Sequence, residues 1–269
     1  MVDEDDAPFL LREELERLVP FESSARSSFV GRLGDLLDCP DDLARIVYDQ
    51  LITYATRRLV LTARWLRRPE DDPAAYTVRL RTFIRSQYRP PHSKVDSLVS
   101  LLQACVAASS RRPSDATRNA LVKEARARGL RCYLCGCDLS HDGQDARRAP
   151  TVDHVWPSAL GGASMPTNLR VSCKACNDAK NDSVGHADCA FPRLSTHVSQ
   201  SDGSFSNALP WTFRFAIWSR AHFACTLCGA SASEAGPLGV SRTERSDNWH
   251  LLNILTTCGR HRTPEFQFP

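Results

Sequence analysis

Thr151-Val152-Asp153-His154-Val155-Trp156-Pro157 lies between Cys132-Tyr133-Leu134-Cys135-Gly136 and Cys173-Lys174-Ala175-Cys176-Asn177-Asp178-Ala179-Lys180, and this framed stretch decides how the chain is read. The pairs Cys132/Cys135 and Cys173/Cys176 can donate four thiolates to one tetrahedral Zn²⁺. Such a site is closed, so its zinc is expected to be structural. The β-prone run 151–156, bounded by Pro157 and the later Gly161-Gly162, predicts a hairpin, and Cys173–Lys180 predicts the start of a helix packed against it. A zinc-clamped ββα unit follows.

Within that unit Asp153 and Asn177 both offer oxygen ligands of the kind a hard divalent cation takes. Mg²⁺ is the expected occupant, with Mn²⁺ or another divalent ion also able to bind. His154, next along a strand, points to the opposite side from Asp153 and is left to take a proton from water.

The ordered set C-x-x-C, D-H-hydrophobic-x-P, G-G, N-L and C-x-x-C-N-x-x-K resembles the zinc-stapled branch of the HNH (ββα-metal) endonuclease family, over roughly residues 114 to 185. The resemblance implies metal-dependent hydrolysis of phosphodiester bonds, leaving 5′-phosphate ends, with His154 as general base and charge on the transition state neutralised by the cation. It makes Asn168 the middle residue of the motif, bracing the loop between the strands and so fixing the histidine. It also sets Lys180 at the family's lysine, where a phosphate contact and a solvated side chain are both open. Asn177 replaces the histidine of the eponymous pattern. The HNH domain of RNA-guided nucleases is similar in having Asp-His, Asn and Asn in that order, which points to Mg²⁺.

Toward the C-terminus the pattern recurs. Cys225-Thr226-Leu227-Cys228-Gly229 parallels Cys132–Gly136, and Asn253 to Cys258 and His261 parallels Asn168 to Cys173 and Cys176 at identical offsets. Cys225, Cys228, Cys258 and His261 are therefore expected to hold a second structural zinc. Between those knuckles there is no Asp-His pair, so this module reads as a zinc fold without a cutting site, free to grip DNA, dimerise or dock a protein partner.

Upstream, helical periodicity predicts helices over Phe9–Val19, Leu43–Leu66, Pro73–Gln87, Lys94–Ala108 and, with Ser114 as N-cap and Gly129 as stop, up to Arg128. The fold class is α+β: an all-helical N-terminal domain over 1–128, the ββα-metal module over 129–194, and a degenerate zinc module over 208–269. The Ser-rich run Ser195–Asn207 reads as a linker.

The net charge of +3 hides an acidic start and an Arg-rich stretch from Arg57 to Arg128. Arg81, Arg85 and Arg89 on one face, with Arg64 and Arg68 on another, can track phosphates or pair with the acidic segment. The eleven cysteines fall mostly into C-x-x-C pairs, which suits a reducing compartment and argues against a disulfide framework. Cys39 and Cys105 read as buried thiols. No stretch reads as a membrane span, and the expected location is the cytoplasm. The function expected from all this is a DNA endonuclease, in a setting such as bacterial restriction of foreign or modified DNA. The competing readings are a non-catalytic two-zinc adaptor binding nucleic acid or protein, and the nuclease subunit of a larger complex.

Overall fold

The computed structural model describes residues 6–21, 29–36, 40–69, 72–188, 195–196, 209–244 and 249–261. Packing groups the chain into two compact units, one of Met1–Pro113 with His154–Asn168, the other of Ser114–Asp153 with Leu169–Pro269.

The first unit is helical: α1 (Ala7–Leu18), α2 (Phe29–Leu36), α3 (Pro40–Leu66), α4 (Pro73–Gln87) and α5 (His92–Ser109). On α3 the buried residues Ile52, Thr56, Leu59 and Ala63 recur at four-, three- and four-residue steps, with Val60 beside them, so one face is buried. The central helix is α5, with Val95, Leu98, Val99, Leu102, Cys105 and Val106 all inside the core. Burying each large aliphatic side chain contributes roughly 1.5–3 kcal/mol, so this cluster dominates the stability of the unit.

Charges settle on the surface of that core. Glu14, almost wholly buried, forms an ion pair with Lys94 at 2.9 Å and accepts from Arg17 at 2.8 Å, and these cations, Lys94 first, hold its carboxyl below the ordinary range. Arg81 pairs with Asp96 at 2.8 Å. The expected stripe Arg81, Arg85 and Arg89 needs correction, because α4 ends at Gln87 and Arg89 adopts φ +48°. Pro90 follows Arg89, and a residue before proline is disfavoured in the helical region. Helix α2 lay outside the sequence expectations.

The segment 154–168 folds onto these helices. Phe9 and Trp156 meet edge to face at 4.9 Å, and Arg64 donates from Nη1 to the Ala159 carbonyl at 2.8 Å. At Gly161, φ +91°, a Cβ would stand 2.6 Å from Cβ of Cys105, so the close approach requires glycine.

The second unit begins with α6 (Asp115–Ala127), whose N-cap Ser114 accepts from the Thr117 N–H as expected. Gly129, φ +59°, follows its C-terminus. Strand β1 (Pro150–His154) pairs with β2 (Leu169–Cys173), and α7 (Lys174–Lys180) follows directly. Later come β3 (Ser195–Thr196), α8 (Trp211–Arg220), α9 (Ala232–Ala235), β4 (Gly239–Arg242), β5 (Trp249–His250) and β6 (Ile254–Thr257). Strands β4 and β6 are antiparallel, as are β3 and β5.

The two cysteine modules share one core. Cys132, Leu134, Cys135, Cys173 and Cys176 cluster with Phe215, Trp218, Ala232 and Leu238, and the Leu238 N–H donates to the Cys135 carbonyl at 2.8 Å. The structural division thus cuts across the sequence boundaries at 128 and 208: α6 joins the cysteine modules, and 154–168 joins the helices. Of the expected linker Ser195–Asn207, Ser195 and Thr196 form β3; its remaining residues lie outside the described ones, as do Cys39 and Cys189. Among the described residues no helix is long and apolar enough to cross a membrane.

Candidate active site

Each knuckle is a tight turn. The Cys132 N–H donates to the Cys137 carbonyl and the Gly136 N–H to the Cys132 carbonyl, at 3.0 and 2.8 Å. Gly136 has φ +76°, and a Cβ there would lie 2.2 Å from the Gly236 carbonyl oxygen. The turn brings the ligand atoms of Cys132, Cys135, Cys173 and Cys176 within 4.8 Å of one another, all four residues buried. The neighbouring thiols of Cys135, Cys137, Cys173 and Cys176 favour the Cys132 thiolate and hold its thiol below the ordinary range. Buried sulfurs so disposed suit a tetrahedral zinc, which binds thiolate.

A second cluster joins Cys225, Cys228, Cys258 and His261 within the same limit. His261 turns Nδ1 inward, 3.5 Å from Sγ of Cys225 and 3.4 Å from Sγ of Cys258. Burial opposes the Cys225 thiolate, but backbone N–H groups of Cys258, Cys228 and Leu227, with His261, outweigh it and bring the thiol down to about 6. Both expected ligand sets are therefore assembled, and either can hold a zinc ion.

Asp153 is 5% exposed, and both carboxylate oxygens are engaged. Oδ1 accepts from Nζ of Lys180 at 3.1 Å and Oδ2 from the Tyr133 hydroxyl at 2.5 Å. Lys180 is 2% exposed, so its expected place at a phosphate or in solvent is corrected: it is the buried counter-ion of Asp153. An ammonium in such a place needs a partner charge, and desolvation still lowers its pKa despite Asp153. The same burial, with the charge of Asp153, raises Tyr133 well above the usual phenol range, so its hydroxyl is a committed donor. Asn177 donates from Nδ2 to Oγ1 of Thr151 at 3.2 Å, which leaves its carbonyl oxygen as the other face of the amide.

Do these residues fit a hard cation? A carboxylate carries about four lone-pair sites and the two donors use only part of them. One carboxylate and one amide oxygen, with water completing the shell, is a donor set of the kind Mg²⁺ takes. The donors fit, although any cation at Asp153 shares that carboxylate with the Lys180 ammonium.

In the first unit, Asn168 is buried and closes the turn that β1 enters. Its Oδ1 accepts from the Trp156 N–H at 2.7 Å, and its Nδ2 donates to the carbonyls of Trp156 and Ala163, each at 3.0 Å. At Gly162 a Cβ would lie 1.9 Å from the Trp156 carbonyl oxygen and 2.8 Å from Nδ2 of Asn168. His154, half-buried, turns Nε2 to Oγ of Ser164 at 2.9 Å, and that hydroxyl donates to the Arg111 carbonyl at 2.7 Å.

Residues 132–187 match the family model described as HNH endonuclease. That segment is similar to HNH endonucleases over a fifth of the chain. No curated protein and no solved structure matches the chain.

The first cysteine module has a structural copy. Asn253 repeats Asn168: its Oδ1 accepts from the Glu244 N–H and its Nδ2 donates to the Glu244 carbonyl, while the Thr243 N–H meets the Asn253 carbonyl as the Val155 N–H meets that of Asn168. The Thr226 N–H binds the Thr256 carbonyl as the Tyr133 N–H binds that of Val171. Aligned on these bonds, Ser241 and Arg242 occupy the positions of Asp153 and His154.

Two partners escaped the sequence reading. Tyr133 sat inside a knuckle with nothing to distinguish it from filler. Ser164 meets a residue 53 positions earlier, a contact that no local pattern announces.

Proposed function

We propose that the chain is a divalent-metal-dependent HNH endonuclease that hydrolyses DNA. The observation carrying this reading is the consecutive pair Asp153-His154 on β1, inside a cysteine-clamped ββα unit that matches the HNH model. Zinc at the two cysteine clusters is structural, because each offers four protein ligands.

Asp153 and Asn177 would hold the catalytic cation, which when bound supplies positive charge against the phosphate and the departing 3′ oxygen. His154 is the general base: its neutral imidazole takes a proton from the attacking water. Asn168 positions His154 by locking the turn that follows it. Tyr133 and Lys180 fix the Asp153 carboxylate, so it presents a set direction rather than a rotating one. The second module, with Ser241 and Arg242 in place of the Asp-His pair, supports a binding role toward nucleic acid, a protein partner or a second copy.

The test is cleavage of plasmid DNA with Mg²⁺ by the wild type and by His154→Ala. Loss of cleavage in the variant, with zinc content and melting temperature kept, supports the nuclease. Equal cleavage by both proteins would refute it, and a wild type inert on DNA in the presence of Mg²⁺ or Mn²⁺ would favour an adaptor.

A further inference from the structure

The contact between His154 and Ser164 points to one tautomer of the imidazole. A carbonyl oxygen can only accept, so in the 2.7 Å contact with the Arg111 carbonyl the Ser164 hydroxyl must be the donor. A serine has one hydroxyl proton, and that contact uses it. In the 2.9 Å contact with Nε2 of His154 the same oxygen is then the acceptor. Nε2 therefore carries the imidazole proton, and in the neutral ring the basic lone pair belongs to Nδ1 by valence alone.

The anchor is not part of the cysteine module. Arg111 lies just past the end of α5, and Ser164, His154 and Arg111 all belong to the unit built on the helices. The same segment is seated there by Phe9 on Trp156, Arg64 on the Ala159 carbonyl and Cys105 beneath Gly161. Four separate helical-unit residues thus fix the loop that carries the histidine.

We propose that Ser164 is the positioning residue of His154, holding the imidazole as its Nε2–H tautomer through the Arg111 carbonyl. The inference rests on the reading of His154 as that base. The relay runs from imidazole to hydroxyl to backbone carbonyl. A serine without the Arg111 contact could donate to Nε2 instead, which would move the proton to Nδ1 and disable the base. The relay forbids that state.

The experiment uses the full chain labelled with ¹⁵N-histidine, at a pH where imidazoles are neutral. Long-range ¹H–¹⁵N correlations should show His154 protonated at Nε2 in the wild type and in Ser164→Thr, and a mixture of tautomers in Ser164→Ala. In cleavage assays kcat should fall about 100-fold in Ser164→Ala with KM little changed, and Ser164→Thr should recover most of it. A wild-type His154 protonated at Nδ1 overturns the proposal, as does a Ser164→Ala variant that keeps both tautomer and kcat. Should Ser164→Ala fail to fold, the wild-type spectrum decides by itself. Undiminished cleavage by His154→Ala would overturn the assignment of the base instead, and the tautomer spectrum would tell that failure apart.

Discussion

The two cysteine modules are built on one plan and differ where chemistry would occur. Each has a knuckle closed by a glycine with positive φ, a two-stranded ladder, and a buried asparagine that pins the turn after the first strand. In the first, that strand ends in Asp153-His154, with Lys180 and Tyr133 on the carboxylate and Ser164 on the imidazole. In the second, the strand ends in Ser241-Arg242; Ser241 turns to Oγ1 of Thr257 at 3.1 Å, and Arg242 lies over the ring of Trp249 at 4.9 Å. Scaffold and activity are thus separable. A zinc-clamped ββ frame needs its cysteines, its turn glycine and its asparagine, whereas a cutting site needs a carboxylate and an imidazole held by further partners.

The comparison breaks most severely if the shared core fails. Cys135→Ser removes a ligand buried among Phe215, Trp218 and Leu238, and structural zinc in small modules supplies roughly 10–16 kcal/mol. Loss of the cooperative melt of both modules is expected, with zinc per chain falling below that of the wild type. Retention of a wild-type melt would mean that the two modules fold independently.

Lys180→Met should come next, because it leaves the Asp153 carboxylate buried without its cation, a loss of about 3–5 kcal/mol. Chemical denaturation measures it. A variant as stable as the wild type would show that the pair is dispensable.

Asn168→Ala and Asn253→Ala form a matched pair. Asn168→Ala strips hydrogen bonds from the backbone of the buried Trp156 and Ala163 and should destabilise by about 1–3 kcal/mol per group left unsatisfied, whereas Asn253→Ala, whose partner Glu244 is exposed, should cost less. Only Asn168→Ala should also reduce cleavage; equal loss of cleavage in both would make the second module part of the reaction. The smallest effect belongs to Ser114→Ala at the N-cap of α6, about 1 kcal/mol in a thermal melt, with cleavage unaffected.

What could be read from the sequence was what local spacing encodes. Both ligand sets follow from two-residue gaps, the duplication from matched offsets, and the helices from their apolar period. The bracing role of Asn168 came from resemblance to a family, whereas its three hydrogen bonds to the backbone of Trp156 and Ala163 are seen only in the folded chain. Lys180 was misplaced because burial depends on what packs above a helix one residue after another, and the lysine itself looks the same in either setting. The boundary at 128 was drawn from a change in composition, but the chain crosses between units at Pro113, and again on either side of His154–Asn168. A segment that leaves its module to seat on distant helices carries no signature in its own residues beyond ordinary turn chemistry.

The most direct measurement is a side-by-side cleavage assay of His154→Ala and Arg242→Ala on the same plasmid with Mg²⁺, at equal zinc content. The account predicts that His154→Ala abolishes phosphodiester cleavage while Arg242→Ala, at the same position of the duplicate strand, still cuts. Cleavage that survives in His154→Ala and disappears in Arg242→Ala would contradict it.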